Sequence, residues 1–353
     1  MQLKAKLLNV VYKHKWLGSL WVSRLYRKSS EFRNWVEDYK ESNFILKFSK
    51  LGELNPGKPI YNMYFDDSAW GFFAYWKYAL IGLSLSDLFG MTPVITWGSK
   101  CPYYESQGFM GTDNAFEYYY KPVSSISIEE ANQSQIVLQY SRFSLGVDSI
   151  KYDADSSIGY VPMCKKYIKL QDPIEKRLRE EIQSILGEKK TIAVHIRGVE
   201  WGNIAGHPIP IGLDEYISKI KNALESGFEQ VFIATDSEKT LNHLQTVFPK
   251  CLVFYEDVER TKEGSKTLVI FDETKHEKMR NFSLGYQVLR DMYTMSYCQG
   301  LIAGYSNVSL AAKVTKEARD EEYEYLHIFD QRLKEGGLSS VKAEKLMRSG
   351  KYK

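Results

Sequence analysis

Between residues 189 and 329, short apolar runs alternate with amphipathic stretches, and this rhythm restricts the chain more than any other feature. "KKTIAVHIR" reads as a strand, followed by the helix "LDEYISKIKNALESG", which stops at Gly227. "QVFIATD" is the next strand, and the helix "SEKTLNHLQTVF" begins at Ser237. The strand "CLVFYE", the long helix "SLGYQVLRDMYTMSYC", the strand "GLIAGY", the helix "SNVSLAAKVTKEA" and the strand "YEYLHIF" complete the series. Parallel neighbours cannot be joined by a tight turn and need crossovers, which helices fill. The expected result is a doubly wound α/β sheet.

The first half carries the same signals more thinly. "PIYNMYF" (59–65) and "TPVITW" (92–97) read as strands on either side of an apolar helix between Trp70 and Leu88, and "QIVLQY" (135–140) is a further strand. Residues 98–133 dissolve into turns and tyrosines. In "DPIEKRLREEIQSILGE" (172–188), Asp172 suits an N-cap, Pro173 the first turn and Gly187 the end, so a helix leads into a new unit. At 353 residues the chain has room for two cores. The expected division is an N-terminal α/β domain over 1–175, a second domain over 176–333 and a basic tail over 334–353. The 25 Tyr, 17 Phe and 7 Trp suit a surface that stacks on sugar rings or bases, although aromatic residues more often fill cores.

Charge narrows the partners. With 47 basic and 44 acidic residues, the net +3 is too balanced for a polyanion, and no nucleic-acid partner is expected. The first thirty residues nevertheless hold Lys4, Lys6, Lys13, Lys15, Arg24, Arg27 and Lys28 without an acid, among Leu7, Leu8, Leu17 and Trp21. Such a segment fits either peripheral contact with an anionic membrane or a terminal helix packed on its own domain. The tail repeats the tendency at Lys342, Lys345, Arg348, Lys351 and Lys353. No apolar run approaches the ~20 residues of a spanning helix, and no secretion signal is legible, so a cytoplasmic location is expected. Cys101, Cys164, Cys251 and Cys298 show no paired spacing, and neither a zinc site nor a disulfide framework is expected.

Ligands of an open parallel sheet sit beyond the carboxyl ends of its strands. His195 and Arg197 leave the first strand of the second unit with the same facing, being two residues apart. An arginine there can fork onto phosphate oxygens, and a histidine can donate to the same anion or to a nucleoside. Taken singly, His195 could equally be a core histidine and Arg197 a surface charge. Gly202 and Gly206 then allow backbone to approach a ligand. Asp236 ends the next strand, and Ser306 and Asn307 stand where a later helix begins, a ready seat for an anion. Asp291 sits among Leu289, Met292 and Met295, out of the apolar pattern, where an acceptor-only group could read the paired N–H donors of a guanine edge. The alternative is a helix charge or a partner of Arg290. There is no Walker loop and no strand-following G-x-G-x-x-G, which removes support for kinases and dehydrogenases.

"HIRGVE…HPI…LDEY", "VFIATDSE" and "GYQVLRDMYTMSYCQGLIAGYSNVSLAA" resemble, in order and spacing, the GDP-fucose transferases of the alpha-1,6, alpha-1,2 and protein O-fucosyl kind. The likeness covers about residues 190–315. It implies a GT-B-like architecture, two Rossmann-like domains facing across a cleft, with the donor mainly on the C-terminal one. By that likeness Arg197 holds the β-phosphate of GDP, His195 helps fix the nucleotide, Asp291 meets guanine, and Ser306 the phosphates. Asp236 borders the same pocket, and Gly71 and Phe72 in "WGFFAYW" bring helix amides toward the donor. The implied reaction is inverting transfer of fucose from GDP-fucose to a glycan hydroxyl. A fixed guanidinium and a helix N-terminus take the place of a metal, so no metal and no cofactor are expected. A lipid-linked glycan acceptor in bacterial surface polysaccharide synthesis suits the basic termini.

In one place the sequence departs from that family. Where members commonly carry a second Arg after His-x-Arg and an Asp two residues later, this chain has Gly198 and Glu200. Glu200 becomes the candidate base, with a surface-loop glutamate as its alternative. The change leaves room for another GDP-sugar, or for a protein that binds nucleotide or glycan without turnover.

Overall fold

A computed structural model of the chain describes residues 48–66, 70–139, 160–198, 211–263 and 279–329. They fall into two compact units, one running to Trp70 and from Ala74 to Gln171, the other holding Gly71–Phe73 and the chain from Asp172 onward. Both are mixed α/β with parallel pairing.

The first unit carries a four-stranded sheet of β1 (Phe48–Ser49), β2 (Ile60–Phe65), β3 (Thr92–Trp97) and β4 (Val137–Gln139), in the order β1-β4-β2-β3. β2 pairs parallel with β3 and β4, and β1 runs antiparallel on the edge. The β2 to β3 crossover is α1 (Phe72–Phe89), which buries Phe72, Phe73, Tyr75, Trp76, Leu80 and Leu83. Apolar residues around its whole circumference give it no solvent stripe to spare. It ends at Gly90, whose φ of 64° suits glycine, and the next N–H, on Met91, donates 2.8 Å to the Ser86 carbonyl.

The stretch that is featureless in sequence has no regular element until α2 (Ile128–Ala131), yet it is firmly held. Asn114 is buried, accepts the Trp97 N–H at 2.9 Å and donates to the Ile95 carbonyl at 2.8 Å. One side chain thereby satisfies the open edge of β3. Many tyrosines of this unit are core residues, with Tyr61, Tyr75, Tyr118, Tyr119 and Tyr120 fully buried. A further helix, α3 (Tyr160–Tyr167), closes the described part of the unit.

The second unit begins with α4 (Asp172–Leu186) and β5 (Thr191–Ile196), followed by α5 (Leu213–Glu225), β6 (Gln230–Thr235), α6 (Glu238–Val247) and β7 (Leu252–Val253). Then come α7 (Arg280–Tyr297), β8 (Gly300–Ala303), α8 (Asn307–Glu317) and β9 (Tyr325–Ile328). All neighbours are parallel and the order is β7-β6-β5-β8-β9. Amphipathic spacing explains the helices. Tyr216, Ile220 and Ala223 of α5 meet the buried Ile192 and Val194 of β5 in one core, and each large apolar side chain so removed from water contributes roughly 1.5–3 kcal/mol. The expected strand "CLVFYE" pairs only over Leu252–Val253. Beyond it the chain turns, because Arg260 gathers the Tyr255 carbonyl at 2.9 Å and the Val258 carbonyl at 3.0 Å.

β5 lies in the middle of this sheet. The chain builds outward from it to β6 and β7 on one side, then returns to place β8 and β9 on the other. Connections diverge between β5 and β8, which is the switch point beside which such sheets take their ligands.

Candidate functional site

At that switch point two of the expected residues, His195 and Ser306, are joined. His195, paired in register with Ala234 on one side and Ala303 on the other, is 9% exposed, and its Nδ1 lies 3.3 Å from Ser306 Oγ. Ser306 is the N-cap of α8. Its hydroxyl accepts the Ser309 N–H at 3.0 Å, and Ser309 Oγ in turn accepts the Ser306 N–H at 3.2 Å and donates to the Gly304 carbonyl at 2.9 Å. The reciprocal cap fixes the first turn of α8, and through His195 it ties that turn to the end of β5. Burial, reinforced by the nearby Arg197 charge, drives the imidazole pKa down to about 3. His195 therefore stays neutral at every physiological pH.

Arg197 is half-buried just past the end of β5, close enough for its charge to act on His195. Gly198 follows, and its N–H donates 2.6 Å to Asp236 Oδ1 at the end of β6. Asp236 thus braces the turn out of β5 as well as bordering the site. On the other side the Asp236 carbonyl accepts the Thr261 N–H at 2.8 Å, and the Thr261 carbonyl accepts the Glu238 N–H at 3.1 Å. Asn307 is the first residue of α8 and is half-buried. Since the Ser306 hydroxyl serves the Ser309 amide and the imidazole, main-chain N–H groups at the start of α8 are what that helix offers an anion.

Asp291 lies on the buried face of α7 and is 7% exposed. No described residue gives its carboxyl a hydrogen bond or an ion pair within 4.0 Å. Its neighbour in sequence is engaged elsewhere. Arg290 forms ion pairs with Glu181, at 2.9 Å, and with Asp257, and its guanidinium carbon lies 3.8 Å from the centre of the Tyr255 ring. Burial pushes the Asp291 pKa up to about 7, against the pull of Arg290 and Arg260. A carboxylate in such a place is costly until donors arrive.

The remaining expected residues stand as follows. Gly71 is half-buried immediately before α1, with open space where a Cβ would point, whereas the Phe72 ring is buried against Phe73 at 5.1 Å between centroids. Both are assigned to the second unit. Glu200, Gly202, Gly206 and the two basic termini lie outside the described residues. So does Asp153-Ala154-Asp155, the chain's Asp-x-Asp sequence. Among the described residues no three His, Cys, Asp or Glu side chains are grouped to hold a metal, and no helix is long and apolar enough to cross a membrane. Two features of the site escape a sequence reading: the Ser306–His195 bond, and Arg260, an arginine brought beside Asp291 by the turn after β7.

A pH dependence follows from the two buried groups. If Asp291 takes the guanine edge, only its ionised form accepts both donors, so nucleotide affinity would rise with pH until the carboxyl has ionised and be level above that. With ionisation near 7, the guanosine diphosphate Kd is expected to be about tenfold weaker at pH 6 than at pH 8. His195 adds no slope in that window. Calorimetric titrations across this range test it, and a flat profile contradicts it.

No protein-family model and no curated protein matches the chain. Among solved structures, it is similar to the alpha-1,6-fucosyltransferase NodZ co-crystallised with GDP, with a TM-score of 0.49, 15% identity, and coverage of 73% of this chain and 92% of that one. A structure of fucosyltransferase NodZ from Bradyrhizobium gives a TM-score of 0.48 at 15% identity, covering 72% and 92%. POFUT1 in complex with GDP gives 0.44 at 10% identity, covering 77% and 99%.

Proposed function

We propose that the protein is a glycosyltransferase that takes its sugar from a guanosine-diphosphate donor, with fucose as the sugar. The observation that carries this is Asp291: a buried carboxyl without a hydrogen-bond or ion-pair partner among the described residues, in the same unit whose sheet sets His195, Arg197 and Ser306 at its switch point. An acceptor-only group matches the N1–H and N2–H₂ edge of guanine, while a guanidinium and a helix N-terminus match a diphosphate. The motif likeness to GDP-fucose transferases supports fucose.

In this reading GDP departs against Arg197 and the first amides of α8, which stabilise the charge gathering on the leaving diphosphate. The anomeric carbon becomes oxocarbenium-like, and an acceptor hydroxyl attacks from the opposite face with inversion. Glu200 takes the proton. The cation and the helix together supply the charge stabilisation a divalent ion would otherwise give. The first unit serves a glycan acceptor, and the basic termini hold the enzyme at the cytoplasmic face of a membrane bearing lipid-linked glycan.

The test is GDP release from GDP-fucose by the full-length chain, with GDP-mannose and UDP-glucose in parallel. Release from GDP-fucose, undiminished by a chelator and yielding product of opposite anomeric configuration by NMR, is the expected result. Preference for GDP-mannose moves the donor while keeping the guanine site. Tight GDP binding without any release makes the protein a binder, the outcome that Gly198 in place of a second arginine would favour.

A further inference from the structure

Arg260 has a setting that a loop arginine seldom has. Its Nη1 and Nη2 are anchored on the Val258 and Tyr255 carbonyls, and its guanidinium carbon lies 5.4 Å from the centre of the Phe254 ring. Its Nε is buried with no partner among the described residues. The charges around it are Asp291, Asp257, Arg290 and Glu238, and burial lowers its pKa. The same turn is held to the end of β6 by the pairing of Ser237 with Thr261.

The turn that holds Arg260 is tied to α7 beside Asp291, because the Tyr255 whose carbonyl Arg260 binds also bonds through its hydroxyl to Thr294 at 2.9 Å, three residues on from Asp291. The two charges act on each other, yet no N···O distance between them is within 4.0 Å. Two backbone bonds hold Arg260 in its turn. A buried carboxylate and a half-buried guanidinium left apart are costly, and a ligand carrying a donor and an acceptor side by side would satisfy both. Guanine has that edge, O6 accepting beside N1–H and N2–H₂ donating, whereas adenine presents the reverse, N6–H₂ donating beside N1 accepting.

We propose that Arg260 and Asp291 form a two-residue reader of the purine edge, with a free Nη–H of Arg260 donating to O6 while Asp291 accepts from N1–H and N2–H₂. The inference rests on the guanine reading of the site and adds to it a specificity-determining residue. Each Nη retains a second N–H after its backbone bond, so the arginine can keep its place in the turn and still donate. Adenine would set donor against donor at Arg260 and acceptor against acceptor at Asp291.

The experiment measures Kd for GDP, IDP and ADP on the full-length protein and on Arg260→Met and Arg260→Lys, with melting temperature recorded for each. Native protein should prefer GDP to ADP, and Arg260→Met should shrink that preference by about tenfold or more, the value of a charge-assisted bond. The GDP to IDP ratio should not move, because inosine lacks only the amine that Asp291 reads. Arg260→Lys keeps the charge and a donor without the fork, so it should fall between; if Arg260→Met does not fold, the lysine variant decides by the same ratios. Equal weakening toward all three nucleotides, or no weakening, makes Arg260 a staple of its turn and overturns the proposal. Native protein that binds no GDP, or binds UDP as well as GDP, removes the guanine reading itself, a different outcome from an unchanged ratio in the variants.

Discussion

Arg197→Ala is expected to lower sugar transfer by roughly 10²- to 10³-fold, the loss typical when one preorganised group that meets developing charge is removed. The guanidinium stands half-buried at the end of β5, near a histidine that burial keeps neutral, so no second positive charge arises from His195 to replace it. Because GDP carries charge before as well as after the bond breaks, its affinity should fall too. Arg197→Lys should recover only part of both, since an ammonium cannot fork onto two oxygens. Steady-state transfer and GDP titration on the two variants, beside unchanged thermal melting, check this. Turnover and affinity that survive the alanine remove the arginine from the reaction.

The second large effect is a change of base. Asp291→Asn replaces one acceptor oxygen by an amide nitrogen that meets the guanine amine donor to donor, while xanthine, with a carbonyl at that position, accepts from it. GDP binding should weaken by about ten- to a hundredfold and xanthosine diphosphate should gain, in keeping with ~1–3 kcal/mol for a well-matched pair of base contacts. The variant also removes the group that titrates near pH 7, so the slope of affinity with pH should vanish with it. Competition between the two diphosphates at pH 6 and pH 8 reads both results at once. An asparagine variant that still favours guanine with the pH slope intact places the base elsewhere.

Different parts of this arrangement leave different traces in sequence. The central strands β5, β6 and β8 are legible because each is a buried apolar run followed by a helix signal, and Asp291 is legible because helical spacing marks its face as buried and a carboxylate breaks the pattern. Which strands become neighbours is not written in any local run. That β5 lies between β6 and β8, and hence that His195 meets Ser306, comes from the return of the chain to the far side of β5. β7 reads as six residues but pairs over two, since a sheet edge binds its outermost strand weakly and Arg260 competes for the next carbonyls. Arg260 has no periodic position to betray it. In the first unit, Asn114 does the work of a strand partner from within a loop, and a single asparagine among turn residues carries no visible sign of that.

The helix α4 also fixes where this chain can be cut. Its Glu181 accepts from Arg290 and, at 3.0 Å, from the Tyr286 hydroxyl, while Arg177 stacks 4.0 Å above the Tyr286 ring. A fragment started at β5 would lack that helix, leaving Arg290 one acid short and stripping cover from Ile174, Leu178 and Ile182's contact surface on the rest of the unit. An expression boundary drawn ahead of Asp172 keeps the stitched pair whole, so the second unit should be isolated as helix plus sheet.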